Sequence, residues 1–231
     1  MYRRLRTTGI AATAEQLRLR IGERFPDSGL SKVAAELTDI AKNAEARAAE
    51  IVKPIVWLRY AVFVFIAIML VACVIMFVRL RPHVGPFDIA QFVQILDGAM
   101  NVAVLSGGAI FSLVTIENRV RRSRALRAAH ELRALAHVID MHQLTKDPDR
   151  IIGAEPTAHS PNVKLTPAAL ARYLNYCSEM LSLTGKIGAF YVQDFDDSVA
   201  LDAVTELEDL TTGLSQKIWQ KIMIVQQLRV H

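Results

Sequence analysis

Six polar or small residues, Gln94, Asp97, Asn101, Gly108, Ser112 and Thr115, recur along a strongly apolar stretch. On a helix advancing about 100° per residue they fall within about 40° of one line, and Leu105 is the apolar member of that row. Such a stripe is costly against lipid, so it must face protein or water. Repeated around a ring of subunits it would line an aqueous pathway, with Asp97 near the outer mouth and Leu105 as an apolar constriction. Hydrogen bonding between the helices of a static bundle accounts for the same residues, and both readings stay open at this point. Across the helix, Ala99, Ala103, Ser106 and Gly107 form a small-residue face suited to close helix packing.

A second group lies in the run 129–146, AHELRALAHVIDMHQLTK. His130 and His137 share a helix face, with Asp140 three residues beyond His137. Seven residues of helix separate the two imidazoles by about 10.5 Å, too far to share one ion. The H-E-x-x-H zinc pattern fails, because Ala134 stands where its second histidine would be. His142 points elsewhere on this wheel. His130, His137 and Asp140 read as an interhelical polar cluster or a pH-sensitive contact. Neither a metal nor a cofactor is assigned.

Arg119, Arg121, Arg122, Arg124 and Arg127 follow the apolar stretch directly. Attraction to anionic lipid headgroups explains them, at about 1 kcal/mol per nearby charge, and nucleic acid is not needed. Thr184-Gly185-Lys186 brushes against a phosphate-binding loop, but Met180 replaces the earlier glycine and Ile187 the serine or threonine. Ser, His and Asp are present without a nucleophile motif around them. The acidic row Asp202, Glu206 and Asp209 reads as a solvated face or a partner for arginines. Cys73 and Cys177 match no disulfide framework or paired metal motif and read as isolated thiols in a reducing compartment. A non-enzymatic protein is expected.

The elements that must position these residues start with two runs of nineteen uncharged residues, Tyr60–Val78 and Gly98–Ile116. Each has the length needed to cross a hydrocarbon core roughly 30 Å thick. The first contains no Gly, Pro, Asn or Gln; the second is richer in small and polar residues. Together they read as a transmembrane hairpin over 55–117, with spans at about 57–79 and 97–117. The mean hydropathy of +0.25 is too low for a chain made wholly of spans. The remaining parts, 1–54 and 118–231, are therefore expected in water. The first apolar run begins too late for a cleavable signal peptide, so it is expected to stay as an anchor.

Basic residues set the orientation. Arg47, Lys53 and Arg59 precede the first span, and Arg119, Arg121, Arg122, Arg124, Arg127 and Arg133 follow the second. The connection carries only Arg79 and Arg81. Both termini are expected in the cytoplasm of a bacterial cell, the short connection outside, and Trp57 and Tyr60 at the inner interface. The net charge of +4 is concentrated accordingly.

Helical spacing and breakers organise the rest. Two N-terminal helices break at Phe25-Pro26-Asp27-Ser28-Gly29, where Asp27 or Ser28 caps the second. A turn is expected at Arg81–Pro86. From near Phe87 one helix runs without a breaker, apart from Gly107-Gly108, to about Lys146, where Asp147-Pro148 stops it. Residues 149–165 read as a loop. Thr166-Pro167 starts a helix, with a change expected at Gly185 and Gly188. A further segment capped by Asp196, Asp197 or Ser198 reaches Thr212, and Gly213 precedes a last helix ending near Arg229.

The fold expected is an all-α membrane protein: a two-helix hairpin with a cytosolic helical bundle built from both ends of the chain. In the order of its elements, the chain resembles small bacterial two-span effectors, in which cytosolic helices respond to a signal and a membrane hairpin disrupts the bilayer. The resemblance extends to no shared motif and adds to the channel reading by analogy only. The function expected is an oligomeric channel or pore in the inner membrane, gated by its cytosolic helices. The alternative is a membrane-anchored adaptor that recruits a cytosolic partner protein. The expected partners are the lipid bilayer, further copies of the chain and, for the adaptor, that cytosolic protein.

Overall fold

Ile10, Ala14, Leu17 and Ile21 recur at three- and four-residue spacing and form the buried edge of helix α1, Thr7–Arg24. The computed structural model describes residues 4–79, 89–146 and 165–227, and its regular elements are all α-helices. The turn expected at Arg81–Pro86 and the stop at Asp147-Pro148 fall outside those residues, as does the 149–165 loop except for Leu165.

The chain divides into two compact units, Met1–Val52 with Arg122–His231, and Lys53–Arg121. The first unit is a helical bundle. After α1, Asp27 takes a positive φ of 55°, a conformation that Asp tolerates better than most residues. The Ser28 hydroxyl then accepts the Ser31 N–H at 3.1 Å and caps α2, Gly29–Val52. Leu30, Val33, Leu37, Ala41 and Ala44 bury one face of α2. Thr38 lies on that face, and its hydroxyl donates to the Ala34 carbonyl at 2.8 Å.

Helix α5, Pro167–Val192, starts as its sequence predicts, with Thr166 accepting the Ala169 N–H and Pro167 in the first turn. It is the central helix. Buried residues occur around most of its circumference, from Leu170 to Val192, and it packs on α1, on α2 and on α6, Ser198–Gln227. A helix apolar on nearly all sides belongs inside a bundle. Helix α4, Ile89–Leu144, is unbroken between Glu117 and Leu135. Its later part adds Ala125, Ala128, Leu132, Ala136 and Ile139 to the core.

Two expected interruptions are absent. α5 continues through Gly185 and Gly188, and α6 through Gly213. A glycine inside a helix costs only about 1 kcal/mol against alanine, whereas each large apolar side chain buried contributes about 1.5–3 kcal/mol. Close packing adds a reason at Gly188. A Cβ there would lie 2.7 Å from Leu207 Cδ2 of α6, and one at Gly185 would lie 3.1 Å from the Thr211 hydroxyl. The two glycines let α5 and α6 approach each other.

The second unit contains α3, Val56–Arg79, and the first part of α4. Both helices are long and apolar enough to cross a membrane. Half-buried positions on α3 are Leu58, Val62, Ile66, Ala67, Met69 and Cys73; on the first part of α4 they include Gly98, Val102, Ser106, Ala109 and Leu113. Apart from Ala67, each set follows one stripe at three- and four-residue spacing. Elsewhere on both helices Phe63, Ile68, Val104 and Phe111 are more than half exposed.

Candidate functional site

The polar row of α4 is exposed along its length: Gln94, Asp97, Asn101, Leu105, Gly108, Ser112 and Thr115 all face outward. It lies about 100° around the helix from the half-buried stripe. Part of the row satisfies itself. The Asn101 amide donates to Asp97 Oδ2 at 3.3 Å, and the Thr115 hydroxyl donates back to the Phe111 carbonyl at 2.9 Å. Of the small-residue face, Ser106 joins the half-buried stripe, while Ala99, Ala103 and Gly107 are exposed. The half-buried stripe of α4 therefore lies between the two faces distinguished by residue type.

Glu117, one residue beyond the second uncharged run, closes the base of this unit and is only 6% exposed. Its carboxylate accepts two bonds from Arg59 Nη2, at 2.9 and 3.0 Å, one from Arg121 Nη2 at 3.1 Å, and the Ile55 N–H at 3.2 Å. A buried carboxylate needs this many donors, because desolvation otherwise costs several kcal/mol. The clasp ties the start of α3 to α4. Sequence reasoning passed over Glu117. The available signal was a single acid inside a basic flank.

The arginines that follow have protein partners as well as any lipid ones. Arg121 serves Glu117. Arg122 makes a forked pair with Asp197, Nη2 to Oδ2 at 2.7 Å and Nε to both oxygens at 3.0 Å. Arg124 donates to the Glu50 carbonyl at 3.0 Å, and Arg127 to its own helix at Ser123. Arg119 and Arg127 are exposed. Asp197 also caps α6, its Oδ1 accepting the Ala200 N–H at 3.0 Å. The Arg122 guanidinium holds this carboxyl below the usual range against the opposing effect of burial.

His130 and His137 are exposed on α4, and Asp140 is half-buried, accepting from the Gln143 amide at 2.7 Å. The histidine that meets the bundle is His142, half-buried. Its ring sits where a Cβ on Gly29 would be, so the glycine that begins α2 makes room for it. Burial, and then Lys146, hold His142 below its ordinary value and favour the neutral ring. Among the described residues no group of three or more His, Cys, Asp and Glu comes together as a metal site. Cys177 is buried in α5, and burial pushes its thiol up to about 12, where it is inert as a nucleophile.

The described residues thus offer a polar row on an apolar helix, an ion-paired base to that unit and, in the other unit, a helical bundle. Compared with known protein families, curated proteins and solved structures, the chain matches none.

Proposed function

We propose that this chain is a non-enzymatic integral membrane protein that assembles as a homo-oligomer and forms a channel or pore gated by its cytosolic helices. The proposed setting is a bacterial inner membrane with both termini in the cytoplasm. One observation carries the reading: the polar row of α4 is exposed and about 100° around the helix from its half-buried stripe. In a lone hairpin Asn101 and Ser112 would face hydrocarbon, where unpaired polar groups are costly. Copies arranged around an axis would turn the row inward, towards water. α4 is helical from Ile89 to Leu144, which would carry motion of the bundle to the row.

The test is current through purified protein in planar bilayers. Asp97→Asn is expected to lower conductance or cation preference while assembly is unchanged, because an acidic ring draws cations. Leu105→Ser is expected to wet the constriction and raise basal current. Absence of protein-dependent current in both wild type and Leu105→Ser, with an intact oligomer, would sink the pore.

An adaptor is the second reading, supported by Val138, Met141 and Leu144 of α4, which are 42%, 64% and 55% exposed. Such a row suits a partner protein. Met141→Asp with Leu144→Asp would then abolish recruitment and leave any current untouched.

A further inference from the structure

The bundle carries a groove of about 1180 Å³ between α1, α5 and α6, larger than most small-molecule pockets. Its floor is the outward stripe of α5. Arg172 and Lys186 stand on that stripe, and Asn175 and Ser178 between them. Arg6 comes from the residue before α1, and Trp219 from α6 is 58% exposed.

The charge of this groove is unbalanced. Its acid, Glu179, is already paired with Arg20 at 2.6 Å, and Arg4 is paired with Asp194 at 2.6 Å. Arg6, Arg172 and Lys186 enter no ion pair among the described residues. Lys186 donates to the Ser182 hydroxyl at 2.6 Å, which orients its ammonium along the groove. The end of α1 is held in place too, because Leu5 N–H donates to the Gln193 side chain at 2.9 Å. Three cations left in one concavity favour an anion, and guanidinium groups favour phosphate in particular.

Length and lining narrow the ligand. Arg172 and Lys186 are fourteen residues apart on one continuous helix, so their Cα atoms lie about 21 Å apart. A single phosphate cannot reach both. Trp219 offers an open aromatic face, and Asn175 and Ser178 offer donors and acceptors suited to the edge of a heteroaromatic ring. An acyl chain would leave those polar groups unpaired.

We infer that this groove binds a phosphorylated ligand of dinucleotide size, with one phosphate at the Arg6–Lys186 end, one near Arg172 and a base stacked on Trp219. The site is independent of whether the spans conduct, and its test reads binding alone. The full chain in nanodiscs with Trp57→Phe leaves Trp219 as the single tryptophan. Its emission is titrated with the four 5′-phosphorylated homodinucleotides, with the mononucleotides and with inorganic phosphate. At least one dinucleotide is expected to saturate the signal about tenfold more tightly than its mononucleotide. Arg172→Ala is expected to erase that advantage, and Lys186→Ala to weaken mononucleotide and dinucleotide alike, by about tenfold for a lost charge-assisted bond. Both residues are exposed, so unchanged thermal melts will certify the fold. Any of three results overturns the inference. The first is no saturable change up to about 1 mM dinucleotide. The second is equal affinity for inorganic phosphate, which marks a nonspecific basic patch. The third is a signal that follows the phosphatidylglycerol content of the nanodisc but not the dinucleotides, which assigns the groove to a lipid headgroup.

Discussion

Gly188 and Gly213 show how one residue type does opposite work at two places in neighbouring helices. Both cost their helix about 1 kcal/mol relative to alanine. At Gly213 nothing lies within 4 Å of an added Cβ, so Gly213→Ala should raise stability by about 0.5–1 kcal/mol. At Gly188 the added Cβ meets the fully buried Leu207 at 2.7 Å. Overpacking a closed core costs about 1–3 kcal/mol and outweighs the gain in propensity. Gly188→Val should therefore destabilise strongly, and Gly188→Ala should fail to show the gain seen at Gly213. Urea unfolding of the three variants checks the signs; a stabilised Gly188→Val would refute the account of the α5–α6 contact.

At the scale of elements, the bundle is pinned by carboxylates whose ionised form the fold prefers. Glu15 on α1 bonds Arg18 and reaches Lys42 of α2 at 3.0 Å. Those bonds, Arg18 first, lower it from 4.5 to about 2. Asp197, between α5 and α6, is held low by Arg122. A carboxyl lowered by folding contributes stability above its unfolded value and loses it as pH falls towards the folded one. His142 is also lowered, as a base that folding keeps neutral, so its contribution begins to fade as pH falls below 6.5. The urea midpoint of the bundle should thus decline gently below about pH 6.5 and steeply from about 4.5 towards 2. Asp197→Asn keeps a capping acceptor while removing the charge, so it should flatten the acid limb without abolishing α6. An acid limb identical to wild type would show that the Arg122–Asp197 pair contributes nothing.

For the whole molecule the proposed membrane setting is tested by which side each part occupies. Basic residues flank the two proposed inner ends nine to two, counting Arg47, Lys53, Arg59, Arg119, Arg121, Arg122, Arg124, Arg127 and Arg133 against Arg79 and Arg81. Cysteine placed at His83 should react with an impermeant maleimide in intact cells, and cysteine at Ser160 only after lysis. Cys177 will not confuse the result, being fully buried with its thiol near 12. Labelling of the Ser160 site in intact cells, with protection at His83, would reverse the proposed orientation.

What was legible from the sequence is what depends on near neighbours along the chain. The N-terminal helix pair broken at Phe25–Gly29, the cap expected at Asp27 or Ser28 and the Thr166-Pro167 start are local signals, because caps and amphipathic faces involve residues within about four positions of each other. So are the two long apolar runs. The breaks expected at Gly185, Gly188 and Gly213 failed because local propensity was outweighed by packing against residues far along the chain. The same limit hid Glu117, whose partner Arg59 lies 58 positions away, and the Arg122–Asp197 pair, separated by 75. In the apolar helices periodicity had little to say: lipid and a neighbouring helix favour the same side chains, so only the folded chain set Gly98, Val102, Ser106, Ala109 and Leu113 as a half-buried stripe. The basic groove likewise exists only because α1, α5 and α6 bring Arg6, Lys186 and Trp219 together. Helical periodicity tells which face is apolar; tertiary packing decides what that face meets and which charges are left over.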